Sequence, residues 1–386
     1  MSLHPSFAPP SEAEMDLRLS RVRHLMSDRG LTHYVAACPH NVFYLTNFAN
    51  YVHERPFIVL VTLDKPLQFL VPKLEVPHVQ IRSVGPVELV EYFEFPAPAG
   101  SGWDDVFRQL FPADAKTGVE SICPLQVFDA VPGDRVRSDV VDDARIIKTD
   151  YEISRIVYAS NIATDAMNLL LDSAAPGATM IGIGGKCRGH MLTRALTDNP
   201  QTNMLATDAT AVFQPPRISH DPHNFTDVAM AMETDGPNVS IINGTINGYG
   251  TEVERTFFLG PVPDACVKPF ETMMAARHAA FENVVPGAVM AEVDRTCNDI
   301  FKRAGYEANL LHRTGHSIGV TGHEGPFLAD GDDRIIEPGM IFTIEPGVYL
   351  KGVGGFRHSD TVLVTDTGNV SLTPVKDSLG DMSLAA

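Results

Sequence analysis

The sequence has little of what marks a nucleic-acid binder, a membrane protein or a disulfide scaffold. It carries 30 Lys and Arg against 48 Asp and Glu, a formal net charge of −18 over 386 residues, and its basic residues form no run. Contact with a phosphate backbone depends on clustered Lys and Arg, so no nucleic-acid partner is expected. No stretch approaches the roughly 18 apolar residues of a membrane span, which predicts no membrane partner. The first ten residues lack the basic and apolar segments of a signal peptide. The five cysteines, Cys38, Cys123, Cys187, Cys266 and Cys297, are scattered, odd in number and contain no CxxC pair. That excludes a disulfide framework or zinc ribbon and fits reduced, buried thiols in a cytoplasmic protein. What remains, 44% hydrophobic and 20% charged residues, is an ordinary globular balance. The length suits two or three domains.

Punctuation in the chain suggests where they lie. Ser11 to Glu14 has the form of a capping box, with Met15, Leu19, Val22 and Met26 at helical spacing behind it. Short β-rich runs follow at Tyr34 to Ala37, Phe57 to Val61 and Leu67 to Val71, the last two separated by the turn Asp64-Lys65-Pro66. Residues 1–145 thus read as one α/β domain. A second capping box, Thr149 to Glu152, opens a helix with Ile153, Ile156, Ser160, Ala163, Met167 and Leu170 on one face. Beyond it Pro176-Gly177-Ala178-Thr179-Met180 recurs as Pro286-Gly287-Ala288-Val289-Met290, an offset of 110 that Cys187 and Cys297 share. Residues 148–375 therefore read as two related α+β halves about a pseudo-twofold axis, with a cleft between them, and 376–386 as a tail.

Chemistry concentrates in the same region. His312-Arg313-Thr314-Gly315-His316-Ser317-Ile318-Gly319 and His323-Glu324-Gly325-Pro326 hold three histidines within twelve residues. Glu345 ends an apolar strand, where a carboxylate is costly unless paired, hydrogen-bonded or bound to a metal. Gly355-Phe356-Arg357-His358-Ser359-Asp360 comes next. In the first half Glu252 and Glu254 share one face of a strand, and His220 and His223 sit in a Pro-flanked loop. Taken alone, Glu252 and Glu254 also read as an exposed polar face paired with Arg255.

In order and spacing, G-H-S-I-G, H-E-G-P, E-P-G-M, T-I-E-P-G and G-F-R-x-x-D, preceded by G-Y and E-R-T-F, resemble the pita-bread family of creatinase, aminopeptidase P, prolidase and methionine aminopeptidase. The resemblance covers about residues 148–375, and the first domain is similar to the family's N-terminal domain. It implies an α+β fold, with a pita-bread catalytic domain after a smaller α/β domain, and a homodimer. Family peptidases hold two metal ions with two aspartates, a histidine and two glutamates. By resemblance His316 matches the histidine, Glu345 the first glutamate, and Glu252 stands at the second aspartate. The first aspartate is replaced by Asn243 if the hairpin is two residues shorter, or by Ile241 without a gap. Ser359 stands where the last glutamate belongs. Glu252, His316 and Glu345 could hold one divalent ion of the manganese or zinc type, but a second ion would have almost no ligands.

Other features resemble creatinase, the metal-free member: Asn243, Glu254 before the Arg-Thr pair, His223-Asn224, and Glu54-Arg55-Pro56. His358 stands one position from a creatinase active-site histidine. The favoured expectation is hydrolysis of an amide, amidine or ureido C–N bond in a small, zwitterionic substrate, without metal or with a single ion. His223 would move protons and Glu254 and Glu345 would orient the substrate. His316 and His323 would polarise the carbonyl, with Arg55, His312 and Arg357 binding substrate. Two alternatives stand beside it: a divergent metal-dependent Xaa-Pro peptidase acting on dipeptides, and a non-catalytic binding protein on the same fold.

Overall fold

The computed structural model describes residues 3–51, 53–225 and 227–386. The described residues form two compact units, 8–146 and 147–386, the second also including residues 3–7. In the first unit Ser11 caps the Glu12–Asp28 helix, its hydroxyl accepting from the Glu14 N–H at 3.2 Å. Met15, Leu19, Val22 and Met26 form the helix's buried stripe. The three apolar runs become the strands His33–Ala36, Ile58–Thr62 and Leu67–Pro72. They pair antiparallel at the centre of a six-stranded sheet. Val87–Tyr92 on one side, and Lys116–Val119 with Asp134–Arg137 on the other, extend it by parallel pairing. Val35, Ile58, Leu60 and Leu70 pack against Tyr92, Trp103 and Phe107 as its core.

The second unit opens on the Asp150–Asp172 helix, whose capping box is complete. Glu152 N–H donates to Thr149 Oγ1 at 3.2 Å and Thr149 N–H to Glu152 Oε2 at 3.0 Å. Ile153, Ile156, Ser160, Ala163, Met167 and Leu170 are all buried. The helix lies behind the Tyr249–Leu259 strand, where Ser160 and Thr251 share a hydroxyl hydrogen bond of 3.1 Å. The repeat is visible in backbone geometry. Gly177 and Gly287 adopt φ of 82° and 89°, a region that favours glycine, just before the helices Met180–Asp198 and Met290–Arg303. The Gly177 N–H donates to Met232 O and the Gly287 N–H to Ile336 O; Ala178 O and Ala288 O accept in the same pattern. This is a mixed α and β fold whose second unit has two related halves.

A nine-stranded sheet joins the halves. Asn247 and Gly248, at φ 49° and 85°, make the two-residue turn between Asn238–Ile246 and Tyr249–Leu259. The turn sets the register that puts Asn243 opposite Glu252 and Ile241 opposite Glu254. The halves meet where Ser359 and Asp360, on the Ser359–Thr365 strand, pair with Glu254 and Val253. Residues at the C-terminus belong to the same unit, since Ser383–Leu384 pairs in parallel with Phe258 and Leu259. Among the described residues no helix is long and apolar enough to cross a membrane.

Candidate functional site

Period-two alternation decides what faces the cleft. On three adjoining strands Thr210 and Val212, Asn243 and Ile241, and Glu252 and Glu254 stand in matching register and line a cavity of about 460 Å³. His223, Phe225, His312, Arg313, His323, Glu345 and Arg357 complete the lining. His316 is fully buried beneath, its ring stacked on His323 with centroids 3.8 Å apart. Gly315 permits this close approach of strands: a Cβ there would fall 2.0 Å from the Thr343 carbonyl oxygen. His223, His312, His316, His323, Glu252, Glu254, Glu345 and Arg357 are thus brought together. His220 is not among the lining residues. Both Asn243 and Ile241 face the cleft, so neither alignment supplies a carboxylate at the first aspartate position.

Arg55 belongs to the N-terminal unit. There it lines a recess of about 300 Å³ and pairs with Glu54 and Glu94, each at 2.5 Å.

The polar-face reading of Glu252 and Glu254 fails. Every residue of the Tyr249–Leu259 strand is buried, because a helix covers one face and the cleft walls cover the other. Arg255 points away from them and binds Asp360 at 3.0 Å. His358 is also withdrawn from the chemistry. Its Nδ1 accepts from the Thr256 N–H at 3.1 Å, so Nε2 carries the proton and donates to Asp377 O, also at 3.1 Å. Both ring nitrogens are committed to backbone, and burial holds the ring well below the usual histidine range.

Electrostatically the cleft is an acid cluster with two arginines, Arg357 and Arg313, in its lining. Arg357 pairs with Glu254 at two points, through Nη2 to Oε1 at 2.8 Å and through Nε to Oε2. Its Nη1 donates to Tyr349 Oη at 3.0 Å, and Tyr349 donates in turn to His312 Nε2 at 2.7 Å. His312 Nδ1 gives its proton to the Arg313 carbonyl, so this ring is neutral. Burial, and then the Arg357 charge, pull it down to about 4. Burial, reinforced by Glu252, pushes the Glu345 carboxyl up to about 8. Burial lowers His316 as well.

The residues present suit a cation. His316 Nδ1 donates to the Ser317 carbonyl at 3.0 Å, which leaves Nε2 as a lone pair. That buried atom has no hydrogen-bond partner, and Glu345 Oε1 lies 3.4 Å from it. A histidine with its tautomer fixed by a carbonyl is the usual form of a metal ligand. Two overlapping triads place their donor atoms within 4.8 Å of one another: Glu252 with His316 and His323, and Glu252 with Glu254 and Glu345. The expected set of Glu252, His316 and Glu345 is divided between them, with Glu252 common to both. Ser359, at the place of the family's last glutamate, brings no carboxylate to the cleft, and its hydroxyl donates to Glu252 Oε1 at 3.0 Å.

Sequence reasoning missed Tyr349, Arg313 and the support beneath the histidines. Lys148 is buried, reaching Ser317 Oγ at 2.8 Å and Glu324 Oε1 at 3.0 Å, and it anchors the segment carrying His316 and His323. Its signal, a lysine just before a helix cap, is too common to read as functional.

Both units match known proteins in sequence and in fold. Residues 18–149 match the creatinase/prolidase N-terminal domain, and residues 154–366 match metallopeptidase family M24. The Xaa-Pro dipeptidase of Lactobacillus helveticus is 27% identical over 347 residues, 87% of this chain and 90% of that protein. The Xaa-Pro dipeptidase of Pyrococcus furiosus is 28% identical over 62% of this chain and 67% of its own length. The prolidase structure from Pyrococcus horikoshii superposes with a TM-score of 0.79 over 94% of this chain and 99% of that one; at 24% identity it speaks for the fold. These relatives carry peptidase names, which moves the weight from the creatinase-like expectation towards the peptidase alternative. With more than half its length matched, the chain is a hydrolase-type member of metallopeptidase family M24.

Proposed function

We propose that this protein hydrolyses the amide bond of small Xaa-Pro-type dipeptides, assisted by a divalent cation of the manganese or zinc type at Glu252, His316 and His323. The observation that carries the reading is the His316 Nε2 lone pair, buried, without a hydrogen-bond partner and facing carboxylates. The peptidase names of its relatives support it. A bound cation would act as a Lewis acid on the scissile carbonyl.

The chain's own residues do the rest. His223, at the cleft mouth, takes a proton from the attacking water and returns one to the leaving nitrogen. Glu254 is committed to Arg357, so Glu345 is the carboxylate that orients the substrate's amino end. Arg313 offers the cleft a charge for the substrate carboxylate. His323 becomes a ligand here rather than an oxyanion group. Assembly as a homodimer belongs to the same proposal and is checked by sedimentation.

The test is elemental mass spectrometry on protein purified without added metal or chelator, with assays on Xaa-Pro dipeptides with and without manganese. Manganese-dependent cleavage is expected. Metal-free protein that ignores these dipeptides but cleaves guanidino, ureido or cyclic amide compounds would overturn the proposal for the creatinase-like reading. Binding without turnover would overturn it for the non-catalytic one.

A further inference from the structure

The repeat that relates the two halves breaks at one helix position. At the offset of 110, Asp294 on the Met290–Arg303 helix corresponds to Gly184 on the Met180–Asp198 helix. Gly184 lets its helix lie directly on the next strand, since a Cβ there would fall 2.4 Å from the Ala211 carbonyl oxygen. In the second half the same place carries a buried carboxylate, and this is the half that supplies His312, His316 and His323. A carboxylate taken out of water is costly unless donors satisfy it. Four do so here. Thr314 N–H and Thr314 Oγ1 donate to Oδ1 at 2.8 and 2.7 Å, and Asp330 N–H and Asn298 Nδ2 donate to Oδ2 at 3.0 and 3.1 Å.

Thr314 and Asp330 lie at the open end of one hairpin. Its strands, Gly315–Ser317 and Glu324–Leu328, pair antiparallel with His316 opposite Phe327, and His323 sits in the connection at the far end. Thr314 N–H is shared with Leu328 O at 3.1 Å, so Asp294 adds a side-chain clamp to the last rung of that hairpin. The Thr314 carbonyl carries the link further by accepting the Glu345 N–H at 2.8 Å. Beside it the Thr343 hydroxyl accepts the His316 N–H at 3.0 Å and lies 3.3 Å from Glu345 Oε1. One carboxylate outside the cleft therefore holds the backbone that carries His316, His323 and Glu345. Asp294 itself neither lines the cleft nor belongs to a ligand triad.

Resting on the reading of the cleft as a cation-binding hydrolytic site, we infer that Asp294 is a positioning residue for that site. It holds the His316 hairpin and the end of the Glu345 strand in the relation that leaves His316 Nε2 and Glu345 Oε1 3.4 Å apart. A ligand set works only within about 0.5 Å of its productive geometry, and the groups that hold its backbone supply that precision.

The test is manganese affinity, read by isothermal calorimetry on chelator-treated, dialysed full-length protein, beside the melting temperature of each variant without metal. Asp294→Asn keeps the size, but an amide accepts at one oxygen only, so one of the two strand links is lost. Its affinity is expected to fall about 10- to 100-fold, the usual effect of removing outer support from a metal ligand. Thr314→Val removes one hydrogen bond to Asp294 and should fall at the lower end of that range. Thr314→Ser keeps the hydroxyl and should match wild type. Asp360→Asn, which alters a buried carboxylate of the same unit outside both triads, should lose melting temperature without this loss of affinity. Wild-type affinity in Thr314→Val or in folded Asp294→Asn would overturn the inference, and the first holds whether or not Asp294→Asn folds. An equal loss of affinity in Asp360→Asn would also overturn it, by making the effect one of general stability. Those outcomes leave the cation-site reading intact, whereas no ion in wild type at millimolar manganese would remove that reading and this inference with it.

Discussion

Nε2 of His316 and Oε1 of Glu345 face each other across 3.4 Å in the cleft, a lone pair opposite a carboxyl oxygen. Two acceptors at that distance repel unless a proton or a cation lies with them, and burial makes the repulsion expensive. His316→Ala removes one side of this arrangement. Manganese affinity by calorimetry should fall on the order of 100-fold or more, the scale on which even indirect support of a ligand is felt. Unchanged affinity would take His316 out of the ligand set.

The two loop histidines should separate cleanly. His223 lines the cleft, whereas His220 is not among its lining residues. Loss of a general acid–base is expected to cost about 10²- to 10⁴-fold in rate. His223→Ala should lose kcat by that order with little change in KM, and His220→Ala should remain within a few-fold of wild type. Equal rates for wild type and His223→Ala would remove the proton-transfer role.

How much of this was legible follows from what each signal depends on. The capping boxes at Ser11 and Thr149, the apolar stripe of the Asp150–Asp172 helix and the repeated Pro-Gly-Ala block are local patterns, and local patterns survive into structure. The gathering of His223, Glu252, His316 and Glu345 was legible through motif order. Their electrical state was not. Whether Glu254 is an exposed acid, a ligand or the partner of an arginine depends on a contact 103 residues away with Arg357. His358 illustrates the opposite error: its neighbours in sequence are catalytic in appearance, but strand alternation turns it towards Asp377 O. Tyr349, which links His312 to Arg357, has no motif of its own because its role exists in three dimensions alone.

The N-terminal unit carries its own pH dependence. Glu120 is buried, accepting from Ala37 N–H at 2.5 Å and Asn41 Nδ2 at 2.7 Å, with the Cys38 N–H on the same oxygen as Ala37. Burial outweighs these donors and pushes its carboxyl up to about 7. A raised carboxyl pKa means the folded state keeps a proton that the unfolded state releases. The associated stability is therefore full below the ordinary glutamate range and is lost as pH rises through 7, a change of about 3 kcal/mol. Melting temperatures should fall across this window, and Glu120→Gln, which cannot ionise, should flatten the profile. A slope as steep as that of wild type would assign the effect to another group.

Asp360 tests the line between structure and chemistry in the second unit. It adjoins Ser359 in the motif, yet it faces away from the cleft and neutralises two buried arginines. Arg255 reaches it at 3.0 and 3.3 Å, and Arg277 binds its other side while also holding Asp377 at 2.7 Å. Asp360→Asn keeps the shape and removes the charge, leaving Arg255 buried without a carboxylate. Breaking such a pair costs about 3–5 kcal/mol, because the surviving charge stays desolvated. In a unit of this size that corresponds to a fall in melting temperature on the order of 10 °C. Ion affinity in the folded variant should change far less than in His316→Ala, since Asp360 belongs to neither ligand triad. Loss of ion binding with unchanged melting temperature would reverse that assignment and place Asp360 in the functional site.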